Sequence, residues 1–269
     1  MKQFILSSIL MIIICLFTTC INTKYPIKKK IYIEPDSLVN SNNQIYKVNT
    51  CLKFNYYFIK NNDTLLCLIE EGKPKVNSDF KLVSYNSSND NLITSLSGEV
   101  QEQQIIKGQT ALRIEYLNTN QEKLFTIFPG IVENEHNHWW HPPRSFYFYV
   151  TEFSPFPYIK YPFKKGLSWT SKIFLYPIED NDRWIPKFEG TLTIESTYKI
   201  TGKTKLQTKL GNLTCYVTEA EAINPYGKGY LTSYFNEKYG FVKLDYTNID
   251  GSRLVIEMID FQQPKKEEK

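Results

Sequence analysis

Histidine is scarce in this chain of 269 residues: there are three, and all fall inside Glu133–Ser145, as His136, His138 and His141. A Ser-His-Asp site therefore has only that segment to draw on. The chain has no Gly-x-Ser-x-Gly elbow, no Cys-x-x-Cys, no P-loop and no Gly-x-Gly-x-x-Gly. These absences set aside the common signatures of α/β-hydrolases, thiol redox enzymes and nucleotide binders. From Gln44 onward no run repeats with a period of 3.6 residues, which excludes a bundle of amphipathic helices. No internal repeat is visible. The long apolar run is Phe4–Phe17, too short at about 1.5 Å per residue to cross a bilayer comfortably.

What is present begins with that run. Lys2 precedes it, so it reads as the h-region of a secretory signal peptide. It stops at Thr18-Thr19-Cys20, which resembles the lipobox of bacterial lipoproteins. The resemblance implies that Cys20 is lipidated, with palmitate among its acyl chains, and becomes the first mature residue. The motif usually has Leu three places before the cysteine and Gly or Ala just before it; Phe17 and Thr19 stand there. Cleavage by an ordinary signal peptidase is the alternative. The polar stretch that follows, with Lys28-Lys29-Lys30, lacks the apolar surface to offset the entropy of ordering it and reads as a tether. The expected organisation is a signal peptide over 1–19, a lipidated N-terminus and tether over 20–43, one β-rich domain over 44–262 and a charged tail over 263–269.

The net charge of +4 and the pI of 8.6 come from the ends of the chain. The body is nearly neutral, which argues against a nucleic-acid partner. Beyond Cys20 three cysteines remain, Cys51, Cys67 and Cys215, so at least one thiol is free. Asn61-Asn62 suits a tight hairpin in which Lys60 faces Asp63. That register puts Cys51 and Cys67 on opposite faces and predicts no bridge between them.

Short stretches rich in Tyr, Phe, Ile, Val and Thr recur between turn signals. They include QIYKVN, FKLVSYN, TALRIEYL, KLFTIF, SFYFYVTEF, TSKIFLY, TLTIESTYKI, CYVTEAEA, YLTSYFN, FVKLDYT and RLVIEMIDF. The expected fold is all-β: a strongly curved antiparallel sheet, half-barrel or sandwich, with few or no long helices. At the end of the chain Asp250-Gly251 marks a hairpin. With Ile249 opposite Ser252, the core face would be Val242, Leu244, Tyr246, Val255, Glu257 and Ile259.

LGNLTCYVTEAEA with YLTSYFNEKYGFVKLDYTNIDG, and HPPRS with FPYIKYPFKKGLSW, resemble uncharacterised envelope lipoproteins of Bacteroidota, over roughly Glu133–Phe261. The resemblance implies a β-rich half-barrel like those of lipoprotein carriers, in the bacterial envelope, in the outer membrane facing the periplasm or the cell surface. It implies no reaction and no catalytic residues.

His136 and His138, two apart, would share one face of an extended strand and could chelate a metal such as zinc, with His141 as a third ligand if the chain turns at Trp139-Trp140. The competing readings are a stiff diproline turn with polar edge histidines, or a lip in which Trp139, Trp140, Arg144, Tyr147 and Tyr149 contact an apolar ligand or lipid. Glu152, Glu179, Asp180, Asp182 and Glu189 read as solvated. The expected protein is non-enzymatic and membrane-tethered, binding an apolar ligand or another envelope component. A metal-dependent hydrolase using His136 and His138, and a structural or surface-interaction protein with no small ligand, are the alternatives.

Overall fold

The computed structural model describes residues 43–70, 79–106, 108–177 and 188–264. Cys20, the lysines of the tether, Gly72, Glu179, Asp180 and Asp182 lie outside the described residues. In chain order the strands are β1 (Cys51–Lys60), β2 (Asp63–Ile69), β3 (Phe80–Ser84), β4 (Ser95–Ile106), β5 (Gln109–Leu117), β6 (Lys123–Ile127), β7 (Gly130–Glu133), β8 (Asn137–Trp140), β9 (Tyr158–Lys160), β10 (Ser168–Leu175), β11 (Leu192–Thr208), β12 (Gly211–Asn224), β13 (Gly227–Asn236), β14 (Gly240–Thr247) and β15 (Arg253–Gln262). All belong to one antiparallel sheet, ordered β10-β11-β12-β13-β14-β15-β1-β4-β5-β7-β8-β9, with β2, β3 and β6 branching from it. The expected all-β half-barrel is what forms.

Alternation builds this sheet. Along β1 the side chains of Leu52, Phe54, Tyr56 and Phe58 are buried while Cys51, Lys53 and Asn55 are exposed. The same period of two runs through β11, β13 and β14, so one face of every long strand turns to a shared interior. At about 1.5–3 kcal/mol per large apolar side chain removed from water, the rings supply much of the driving force. The β1–β2 turn follows its sequence: Asn61 and Asn62 both have positive φ, 53° and 66°, and Lys60 pairs with Asp63. Cys51 is exposed, Cys67 is buried and the two are not joined, as the register predicts; Cys215 is a free thiol as well.

Three sequence expectations are corrected. The β14–β15 register differs by one residue, because the loop has three residues rather than two. Thr247 pairs with Arg253 and Leu244 with Ile256, Asn248 N donates to Ser252 O at 2.8 Å, and Gly251 takes the positive φ of 77°. The inward set on β15 is thus Leu254, Ile256 and Met258, while Lys243 bonds Glu257 at 2.5 Å on the other face. Second, QIYKVN is not a strand; residues 44–46 bend and are held by a side chain described below. Third, SFYFYVTEF is not a strand with two ringed faces. Phe146–Phe153 is a 3₁₀ helix whose eight residues are all buried. A helix with no wet side leaves no amphipathic stripe to read.

That helix fills the inner face of the sheet. Phe148 packs 4.6 Å from Tyr56, 5.2 Å from Phe58 and 5.4 Å from Tyr116, measured between ring centroids. Thr151 Oγ1 donates to Phe148 O and Pro143 O, and Ser145 N donates to Tyr116 Oη at 3.2 Å, so both ends of the turn are tied down. A second small cluster, Tyr149, Phe153, Leu175, Ile194 and Ala222, takes the other end of the helix.

Candidate functional site

The segment from Glu133 to Glu152 carries the titratable groups singled out by sequence, and the fold sends them in different directions. Asn134 Oδ1 accepts the amides of His136 and Asn137 at 2.9 Å each, forming a tight turn between β7 and β8. His136 sits in that turn, exposed, whereas His138 is inside strand β8 with 1 % of its surface accessible. The expected shared strand face is corrected: β8 begins at Asn137, so His136 is not part of it.

His138 is enclosed by aromatic rings. Its centroid lies 4.6 Å from Phe235 and 5.5 Å from Tyr161, and Nε2 is 3.0 Å from Tyr161 Oη. Burial pushes its pKa down to about 4, so it stays neutral near pH 7.

His141 has a different partner. Nδ1 lies 2.9 Å from Pro142 O, which can only accept, so Nδ1 carries the proton and Nε2 is bare. Facing Nε2 are Glu152 Oε1 at 3.3 Å and Arg144 Nη1 at 3.4 Å. Burial raises Glu152 to about 7 and lowers His141 to about 3, with Arg144 partly opposing the first shift and adding to the second. The two shifts share a cause: low dielectric keeps the imidazole neutral and delays ionisation of the carboxyl beside it to about pH 7. Glu152, expected in solvent, is 4 % exposed and is corrected; Glu189 is exposed as expected. Among the described residues no three His, Cys, Asp or Glu side chains come together to hold a metal ion.

Glu133, buried at the end of β7, has a role that no local pattern signals. Its carboxylate accepts the amides of Gln44 at 2.8 Å, Ile45 at 3.0 Å and Tyr46 at 2.9 Å, three consecutive donors. Burial raises its pKa and those amides pull it back part of the way. Gln263 Nε2 donates to Gln44 O and Ile45 O, so the entry of the chain into the fold is gripped from both sides. A second missed group is Asp250, in the β14–β15 loop. Burial would raise its pKa, but donors outweigh that and hold it below the usual carboxylate range: Ser252 Oγ at 2.6 Å, Tyr147 Oη, and Lys60 Nζ at 3.1 Å. Nothing short of the tertiary fold brings Lys60, Tyr147 and Asp250 together.

The residues expected to contact a ligand are dispersed and mostly enclosed. Trp140 stacks on Phe54 at 5.5 Å; Trp139 packs on Phe156 at 5.8 Å. Tyr147 is drawn into the Asp250 network, Tyr149 belongs to the second core cluster, and Arg144 is exposed beside His141. A gap among Tyr46, Leu52, Phe54, Leu112, Ile131, Trp140, Phe241 and Met258 does not admit a water molecule. On the outer face, by contrast, Phe174 (59 % exposed), Ile223 (58 %) and Tyr230 (42 %) stand free at one end of the β10–β13 meander.

No family model matches the chain, and no curated protein matches it. Solved structures do. A candidate exported protein with a YmcC-like fold from Bacteroides fragilis shares 10 % identity at a TM-score of 0.39, covering 81 % of this chain and 97 % of its own. A candidate lipoprotein from Parabacteroides distasonis shares 9 % identity at a TM-score of 0.44, covering 84 % and 98 %. The hypothetical lipoprotein YmcC from Escherichia coli shares 10 % identity at a TM-score of 0.33, covering 82 % and 89 %.

Proposed function

We propose that this is a non-enzymatic protein of the bacterial envelope, tethered by lipid on Cys20, which engages another envelope component through the outer surface of its sheet. The observation that carries this reading is the contrast between the two faces of the meander. Among the described residues the 3₁₀ helix and its rings pack against the inner face, and the gap lined by Tyr46, Phe54, Trp140 and Met258 is too small for water. The outer face presents Phe174, Ile223 and Tyr230 to solvent. The register puts the last two on one face: Glu221 pairs with Tyr230, and Glu195 with Ile223. Grouped, exposed apolar side chains of this size mark contact surfaces more often than isolated ones do. Among the described residues His136, His138 and His141 are dispersed, and His141 faces Glu152 inside the fold.

Two measurements test this. Palmitate labelling of cells is expected to mark the wild type and not Cys20→Ala. In gently solubilised envelopes the wild type is expected to migrate as a complex that Phe174→Ser combined with Ile223→Ser dissociates. Native mass spectrometry showing a co-purified lipid besides the anchor would favour the small-ligand reading instead.

A further inference from the structure

Strands β11 and β12 are longer than their neighbours. Asn236, the last residue of β13, lies beside the middle of the hairpin, with its Nδ2 donating to Thr214 O at 3.0 Å. Four further pairs, from Lys205↔Thr214 to Thr208↔Gly211, run on beyond it. On the other side, β10 pairs only as far as Lys199. The tip is thus a two-stranded ribbon projecting by roughly 13 Å, at about 3.3 Å per residue.

Its composition is unusual for a nearly neutral body. Residues 199–218 hold Lys199, Lys203, Lys205 and Lys209 and no acid. Lys203, Lys205 and Lys209 are exposed, while Leu206, Leu210 and Leu213 are half-buried and pack against the main core, so the ribbon presents its lysines to solvent. The neighbouring segment adds Lys164 and Lys165; Lys165 lies against Gly202, and Gly166 N donates to Ile200 O at 2.7 Å. Lys238, in the β13–β14 turn, completes the group, with Glu237 acting on Lys203 and the exposed Glu219 paired opposite Lys199 at the base.

The position of this cluster relative to the chain's entry gives it meaning. Tyr46 reaches the start of β14, its Oη accepting Phe241 N at 3.3 Å. Glu133, at the end of β7, holds residues 44–46, and His136 O in the adjoining turn accepts Tyr161 N at 2.8 Å. The residue that follows the tether, the β7–β8 turn, the β13–β14 turn and the base of the lysine ribbon therefore share one end of the sheet. The Lys60, Tyr147 and Asp250 network and the exposed Phe174, Ile223 and Tyr230 sit at the other.

We propose that the β11–β12 ribbon, with Lys164, Lys165 and Lys238, is a docking surface for anionic lipid headgroups, orienting the body on the membrane that its lipid anchor occupies. This rests on the tether reading above. The link from Cys20 to Asn43 can extend to at most roughly 80 Å, so the basic end is held at high local concentration over the bilayer. Each lysine near an anionic surface strengthens association about fivefold. Contacts too weak to recruit a free protein are then enough to orient a tethered one.

The test uses the full-length lipidated protein reconstituted in vesicles of phosphatidylcholine alone or mixed with phosphatidylglycerol, followed by amine-reactive labelling read residue by residue. Labelling of Lys203, Lys205 and Lys209 is expected to fall at least about threefold on the anionic vesicles, to recover in about 0.5 M salt, and to leave Lys228, in the strand at the far end, unchanged. Replacing the three tip lysines by glutamate should abolish the difference between vesicles; if that variant fails to fold, the salt response of the wild type decides alone. Equal labelling on both vesicles, or equal protection of Lys228, overturns the proposal. Failure of the tether reading looks different: the protein would not float with phosphatidylcholine vesicles at all.

Discussion

The C-terminal hairpin and the histidine segment are both turns flanked by short apolar runs, yet they are shaped by different forces. In β14–β15 the backbone decides: the loop needs one positive φ, Gly251 supplies it, and side-chain alternation does the rest. Between Glu133 and Phe153 side chains decide. Asn134 folds the turn, Glu133 captures the distant bend at residues 44–46, and rings on Phe146 and Phe148 pull a diproline-led stretch into the interior as a 3₁₀ helix. Local chemistry tolerates a counting error of one residue in the first region. In the second, local bonds of Asn134 and Thr151 shape the turns, but contacts distant in sequence decide where they sit.

Slipping the register of the hairpin is the severest test of this contrast. Deleting Arg253 while the Ile249-Asp250-Gly251 loop is kept brings Leu254 opposite Thr247 and turns Leu254, Ile256 and Met258 outward. At about 1.5–3 kcal/mol each, this consumes most of a typical domain's stability, so the urea transition is expected to lose its cooperativity. Next, Glu133→Ala leaves three amides without their acceptor and is expected to cost about 3 kcal/mol in the same assay. Protection of the amides of Gln44, Ile45 and Tyr46 from hydrogen exchange should vanish with it.

The pH dependence sharpens the contrast. The raised pKa of Glu152 contributes stability that is complete below its ordinary value near 4.5 and is lost as pH rises through about 7. The lowered pKa of His141 acts in the opposite sense: its contribution is complete above 6.5 and is lost as pH falls towards about 3. Between the two ordinary values the slopes oppose each other. Glu152→Gln removes the first slope, so the variant is expected to exceed the wild type by about 2 kcal/mol at pH 8 and to converge on it near pH 4. The smallest effect belongs to Gly251→Ala: an added Cβ meets nothing within 4 Å, so only the left-handed backbone resists it, at about 1 kcal/mol.

The same division explains what could be read beforehand. The all-β architecture, the Lys60–Asp63 pairing and the separation of Cys51 from Cys67 follow from a period of two and from asparagine's tolerance of positive φ, both visible in a single sequence. The roles of Glu133, Glu152 and Asp250 do not, because each carboxylate is explained by partners 87, 11 or 190 positions away or thereabouts: Tyr46, His141, Lys60. Glu152 still left a trace, a lone carboxylate inside FYFYVTEF, where surrounding rings make burial and a raised pKa the expected outcome.

The Glu133 grip also has a mechanical side. If the chain is fastened through Cys20 as proposed, drag from moving neighbours enters the described fold at Asn43. Three amide bonds to one carboxylate, with Gln263 clasping the same residues, then stand between that load and the first ladder bond of β1. A clamp at that point would yield before the sheet itself is unzipped.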